Sequence, residues 1–214
     1  MHINHTTIQD MESHYRVNFV NSLSGFKSVN IIATANNQQF NAALFSSVVH
    51  IGSNPALLGM ISRPNSVPRH TLENINASGH YTINQVHSKI YKQAHHTSAR
   101  SKRDESEFSF SKLTPEFLDH FPIPFVQQSS LKIGLIMKEI IPIKSNNTLL
   151  IVGQVDTVIM PKQALTKCGT IDHEQLDSVC ISGLNRYYST EFLGQLGYAK
   201  KQSVPVFELR SSNE

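Results

Sequence analysis

The sequence predicts a mainly β fold with short helices, its antiparallel strands gathered into a sandwich or barrel. Three observations predict it. Residues 40–47 alternate, with Phe40, Ala42 and Leu44 on one face and Asn41, Ala43 and Phe45 on the other, which is the period of a strand. Residues 131–143 and 148–160 are two long β-rich runs separated by Lys144-Ser145-Asn146-Asn147, the pattern of a long hairpin. Helical spacing is confined to short segments near residues 71–78 and 88–98. With 214 residues, 39% of them apolar, the chain can bury one substantial core. No repeat, low-complexity tract or linker divides it, so one domain over residues 1–214 is expected, with fraying at both ends.

Taken in order, residues 29–36 are β-branched and apolar and read as a buried strand. Asn36-Asn37-Gln38-Gln39 reads as the hairpin turn that leads into the alternating strand 40–47. Pro55 precedes a third strand at residues 56–62. Leu72 and Ile75 then stand at helical spacing, with Thr71 as the N-cap and Gly79 as the stop. Residues 81–86 read as a strand and 88–98 as a second short helix. Arg100-Ser101-Lys102-Arg103-Asp104-Glu105 is a mixed charge run, expected to be a solvated loop. Pro115, Pro122 and Pro124 punctuate residues 114–125, read as an irregular connection. Residues 204–209 read as a last strand.

Several function classes are disfavoured. A formal net charge of +3 is mild, and no basic stretch is interleaved with aromatics, so nucleic acid is not an expected partner. No apolar run approaches the roughly 20 residues that span a bilayer, so no membrane is expected. Cys168 and Cys180 provide no disulfide framework, and the N-terminus carries no secretory pattern; a reduced, cytoplasmic chain is expected. Gly25-Phe26-Lys27-Ser28 lacks the upstream glycine of a phosphate loop, and no Gly-x-Gly-x-x-Gly or Gly-x-Ser-x-Gly is present. The 11 histidines include no His-Glu-x-x-His, and no metal site is expected.

Two segments carry candidate chemistry. Residues 62–75 place Arg63, Arg69 and His70, with the hydroxyls of Ser62, Ser66 and Thr71, just ahead of or at a helix start. Unpaired N–H groups at a helix N-terminus, flanked by arginines, make an anion site suited to a phosphate. An ordinary capped surface helix with nearby arginines is the competing reading. The strand 40–47 combines small residues and hydroxyls. It lets a flat ring approach the backbone, with Asn41 or Ser46 near its edge, although a plain core strand has the same pattern.

These segments, Asn41-Ala42-Ala43-Leu44-Phe45-Ser46-Ser47, Asn54-Pro55-Ala56-Leu57-Leu58-Gly59, Thr71-Leu72-Glu73-Asn74-Ile75 and Tyr81-Thr82-Ile83-Asn84, resemble the flavin reductase-like family. So do Gly153-Gln154-Val155, Gly169-Thr170-Ile171-Asp172 and Arg186-Tyr187-Tyr188. The resemblance covers about residues 25–189 and leaves 190–214 as a C-terminal extension. It implies an FMN-binding split β-barrel, usually a homodimer. Residues 41–47, with Asn41, Ser46 and Ser47 among them, would line the isoalloxazine. Ser62 and Arg63 would reach the ribityl chain and phosphate, and Ser66, Arg69, His70 and Thr71 would hold the phosphate. Tyr187 or Tyr188 would pack near the flavin. The implied activity is hydride transfer from NAD(P)H to the flavin with no catalytic side chain nominated. The alternatives are a flavin-binding electron carrier or sensor, or a similar barrel that binds another ligand such as pyridoxal phosphate or a haem-related compound.

Overall fold

The computed structural model describes residues 1–36, 39–64, 66–201, 204 and 207–208. In chain order the elements are α1 (His5–Asp10), α2 (Ser13–Leu23), β1 (Lys27–Ser28), β2 (Asn30–Asn36), β3 (Gln39–Phe45), β4 (Val49–Ser53) and β5 (Ala56–Ser62). There follow α3 (His70–Ser78), β6 (His80–Gln85), α4 (Tyr91–His96), α5 (Glu107–Ser111), β7 (Pro115–Leu118) and β8 (Phe121–Val126). The chain continues through β9 (Lys132–Ile143), β10 (Thr148–Ile159), β11 (Val179–Ser182), β12 (Arg186–Ser189), β13 (Gln195–Leu196) and β14 (Phe207–Glu208).

The main sheet has seven strands in the order β3-β2-β6-β9-β10-β5-β4, and each neighbouring pair is antiparallel. It curls into a split barrel. β3 and β5 stand near opposite ends of that order, yet the Ser47 hydroxyl, just past β3, donates to the Ile61 carbonyl at 3.0 Å and accepts from its N–H at 3.1 Å. The sheet is not closed, so β3 and β4 keep free edges.

The alternation of β2 assigns its two faces. Ile32 points into the barrel with Met60, Tyr81, Ile83, Leu135 and Ile151, and α3 adds Leu72 and Ile75 to that core. Ile31 and Ala33 point outward to a second core with Ala42, Val86, Ala94 of α4 and Phe108 of α5.

The long hairpin forms between β9 and β10, with Thr148 opposite Ile143. β2 and β3 pair with Asn36 opposite Gln39, while the centre of the turn, Asn37 and Gln38, lies outside the described residues. Of the last strand expected at residues 204–209, β14 pairs with β13, and Pro205, Val206 and Leu209 lie outside the described residues.

Three expectations are corrected and one strand is added. The N-terminus is helical rather than frayed: the Asn4 side chain caps α1 by accepting from Thr7 N–H, and Glu12 caps α2 by accepting from Tyr15 N–H. Residues 114–125 are not an irregular connection but largely the hairpin β7–β8. Phe121, Ile123 and Phe125 are buried together, and the prolines sit in a two-stranded ribbon that no third strand joins among the described residues. Helix α3 is capped at Arg69 rather than Thr71, because the Glu73 carboxylate reaches back to the Arg69 N–H at 3.1 Å. Residues 49–53 form the strand β4, not recognised from the sequence. Gly79 ends α3 in the left-handed conformation, its N–H bonded to the Ile75 carbonyl.

Candidate flavin cleft

A cleft of about 860 Å³ opens where the end of β3, the end of β5, the start of α3 and residues 97–103 converge. That is within the size range of small-molecule sites. Its first wall follows β5. Ser62 is buried, Arg63 is exposed, and Arg69 is held by donation from Nε to the Pro64 carbonyl at 3.2 Å. His70 and Thr71 follow at the mouth of α3. The first hydrogen bond inside this helix runs from Glu73 N–H to the Arg69 carbonyl. The N–H groups of His70, Thr71 and Leu72 therefore have no partner within the helix, and all three residues line the cleft.

The second wall is β3. Alternate residues of an antiparallel edge strand turn their backbone groups away from the partner strand. Ala42 N–H bonds the Glu107 carboxylate at 3.1 Å, and the Phe40 carbonyl accepts from the Ser106 hydroxyl at 2.6 Å. The even-numbered residues are thus the outward ones. Ser106 and Glu107, at the start of α5, cover this edge as far as Ala42. Beyond it the edge runs on past Leu44 to Ser46, both on the cleft wall.

Beneath these walls lies a buried polar layer. Asn41 donates from Nδ2 to Glu107 at 2.6 Å, and its Oδ1 accepts from Thr71 at 2.9 Å and Thr34 at 3.3 Å. Thr34 in turn accepts from Asn74 Nδ2 at 3.0 Å. Asn74 Oδ1 accepts from Arg103 at 2.7 Å, and Arg103 also pairs with Glu73 at 3.1 Å. Each link joins a donor to an acceptor, and the network runs from the Arg103 guanidinium to the Glu107 carboxylate.

A family model described as "Flavin reductase like domain" matches residues 24–176. The chain belongs to the flavin reductase-like family. Membership places it among flavin oxidoreductases, with a flavin as cofactor or substrate. The chain is 46% identical to a solved putative flavin reductase with a split barrel domain from Shewanella frigidimarina NCIMB 400. That match has a TM-score of 0.90 and covers 93% of this chain and 100% of the other. Nitrilotriacetate monooxygenase component B from Bacillus cereus shares the fold at 18% identity and a TM-score of 0.80, covering 92% of this chain and 98% of the other. Flavoredoxin of Desulfovibrio vulgaris (Miyazaki F) shares it at 20% identity and a TM-score of 0.68, covering 80% and 91%. No curated protein sequence matches the chain.

In this flavin reductase-like chain the fold brings Asn41, Ser46, Ser47, Ser62, Arg63, Arg69, His70 and Thr71 to one cleft. The Asn41 and Ser47 side chains are already engaged with protein partners. Ser66 is exposed in the loop ahead of α3 and is not on the cleft lining. Tyr187 on β12 lies away from the lining: it packs on Tyr91, bonds His95 Nδ1 through its hydroxyl at 2.9 Å, and burial pushes its phenol up to about 12. Tyr188 stacks edge-on against Phe26.

The sequence reading missed the third wall. Arg100, Ser101, Lys102 and Arg103 do lie in a loop, but they line the cleft, and Arg103 ties that loop to α3. Glu107 was missed as well. Its local sequence gave no signal: Glu107 follows Asp104 and Glu105 at the end of the charge run, where a carboxylate ordinarily faces water.

Cys168 and Cys180 are free thiols. Among the described residues, no helix is long and apolar enough to cross a membrane, and no three potential metal ligands gather.

Proposed function

We propose that the cleft binds FMN and that the protein is an NAD(P)H-dependent flavin oxidoreductase. One observation carries this reading. An uncovered backbone edge at Leu44 and the open N-terminus of α3, flanked by Arg63 and Arg69, face the same cleft. A flavin mononucleotide has matching parts: a flat ring whose polar rim needs donors and acceptors, and a terminal phosphate.

The residues present fit that group. Leu44 and Ser46 offer backbone donors and acceptors to the ring rim, and Ala43 leaves room for a flat ring to approach. Ser62 and Arg63 stand between strand and helix, in reach of a ribityl chain. Arg69, His70 and Thr71 bring a guanidinium and backbone N–H groups to the phosphate, with Ser66 in the adjoining loop. Bound flavin supplies the two-electron chemistry, taking up hydride from a nicotinamide. The chain's residues bind and orient it, and no side chain is assigned as an acid or base.

The same reading makes the protein a cytoplasmic homodimer. Two free thiols suit a reducing compartment. Exposed Tyr15, Val20, Leu23 and Phe26 leave an apolar surface on and after α2 for a second copy to cover.

Titration with FMN tests the site directly. The native protein is expected to take up FMN, and the double variant Arg63→Ala/Arg69→Ala to lose at least a hundredfold in affinity. Charge-assisted contacts are worth about 1.5–3 kcal/mol each. Equal affinity in the two proteins would remove the phosphate site. Anaerobic mixing with NADH and NADPH then separates an oxidoreductase, whose flavin bleaches, from a carrier or sensor, whose flavin does not.

A further inference from the structure

Glu107 stands out among the cleft residues because it is buried, with 4% of its surface exposed. It is also the one carboxylate among the residues that line the cleft. Among the described residues no cation pairs with it. Its oxygens are committed elsewhere. Oε2 accepts from Asn41 Nδ2 at 2.6 Å and from Ala42 N–H at 3.1 Å, and Oε1 accepts from the Ser101 hydroxyl.

These bonds join three separate pieces of the cleft. Ala42 and Asn41 belong to β3, Ser101 belongs to the loop that forms the third wall, and Asn41 carries the connection on to Thr71 in the first turn of α3. The bond to Ala42 also ends the covered part of the β3 edge. Ser106 takes the Phe40 carbonyl and Glu107 takes the Ala42 N–H, so the next outward N–H along the strand beyond Glu107 is that of Leu44.

We propose that Glu107 is the positioning residue for the ring end of the bound ligand. It sets where the free edge of β3 begins and holds the Asn41 amide in one orientation, so that strand and helix present their groups to the cleft in fixed register. This rests on the flavin reading above and deepens it by assigning a residue to the ring end, separate from the arginines of the phosphate end. Glu107 acts through β3 and Asn41 rather than by contact with the reacting atoms.

The test compares FMN with riboflavin, which has the ring and ribityl chain but no phosphate. Dissociation constants are measured by quenching of flavin fluorescence, with the melting temperature of the ligand-free protein recorded alongside. Glu107→Ala leaves the Asn41 amide and the Ala42 N–H without their acceptor, and affinity for FMN and riboflavin is expected to fall by the same factor, at least tenfold. Glu107→Gln can turn its carbonyl to Asn41 and Ala42 and its amide to the Ser101 oxygen, so it is expected to recover at least fivefold of that loss for both ligands. Arg69→Ala, by contrast, weakens FMN and spares riboflavin.

Should Glu107→Ala not fold, Glu107→Asp serves in its place. The shorter carboxylate draws back from β3, and the same parallel loss is expected. The proposal is overturned if the Ala or Asp variant lowers the melting temperature while riboflavin binds as tightly as in the native protein, or if only FMN is weakened. It is equally overturned if Gln is no better than Ala. If the native protein binds neither flavin, the parent reading fails and this one fails with it; if the native protein binds and the variants match it, this one fails alone.

Discussion

Two polar places share the interior of the split barrel, and they are built in opposite ways. Under the cleft, Asn41, Thr34, Thr71, Asn74 and Glu107 are linked donor to acceptor, and each of them is buried. Deeper in the apolar core, Tyr81 is fully buried and its hydroxyl has no partner among the described residues. That hydroxyl is accommodated by shape. A Cβ on Gly153 would lie 2.2 Å from Tyr81 Oη, closer than atoms tolerate, so the glycine is what makes the space. Burial pushes the Tyr81 phenol well above its ordinary range. The contrast teaches that the linked layer fixes the relative position of strand, helix and loop, whereas the lone hydroxyl fixes nothing and is merely tolerated.

Substitutions can break or sharpen this contrast. The largest effect is expected at Asn74. Asn74→Ala removes the acceptor of Arg103 and the donor to Thr34 and leaves a small void, at a cost of about 3 kcal/mol. A urea midpoint that shifts by much less, at constant slope, would show that the linked layer is replaceable. Gly153→Ala comes next, with overpacking against Tyr81 costing about 1–3 kcal/mol. Introduced together with Tyr81→Phe, the same substitution should cost roughly 1 kcal/mol less, because the oxygen nearest the new methyl is gone.

Tyr81→Phe by itself is the smallest effect and the sharpest one. Removing an unpartnered buried hydroxyl should leave stability unchanged or raise it by up to about 1 kcal/mol. A loss comparable to that of Asn74→Ala, seen in the same urea titrations, would mean that the two places are not different after all.

Much of the scaffold was legible in the residues themselves. The alternation of residues 40–47 put Phe40, Ala42 and Leu44 on one face, and they pack with one core while Phe45 packs with the other. The spacing of Leu72 and Ile75 identified α3, and both reach the barrel core. Where local reading failed, a neighbour supplied what the segment lacked. Thr71 looked like a helix cap, but Glu73 took over the Arg69 N–H and the Thr71 hydroxyl turned to Asn41. Residues 114–125 looked irregular because of their prolines, yet the apolar residues between them found a pocket of their own.

By itself the sequence determined the strand periods, the position of α3 and the arginines ahead of it, because these depend on residues a few places apart. The tertiary structure decided which strand became an edge, how much of that edge α5 covers, and that Glu107 meets Asn41, a residue 66 positions away. The physical reason is that a hydrogen bond between distant segments is set by how the sheet curls and closes. No local spacing of side chains encodes that.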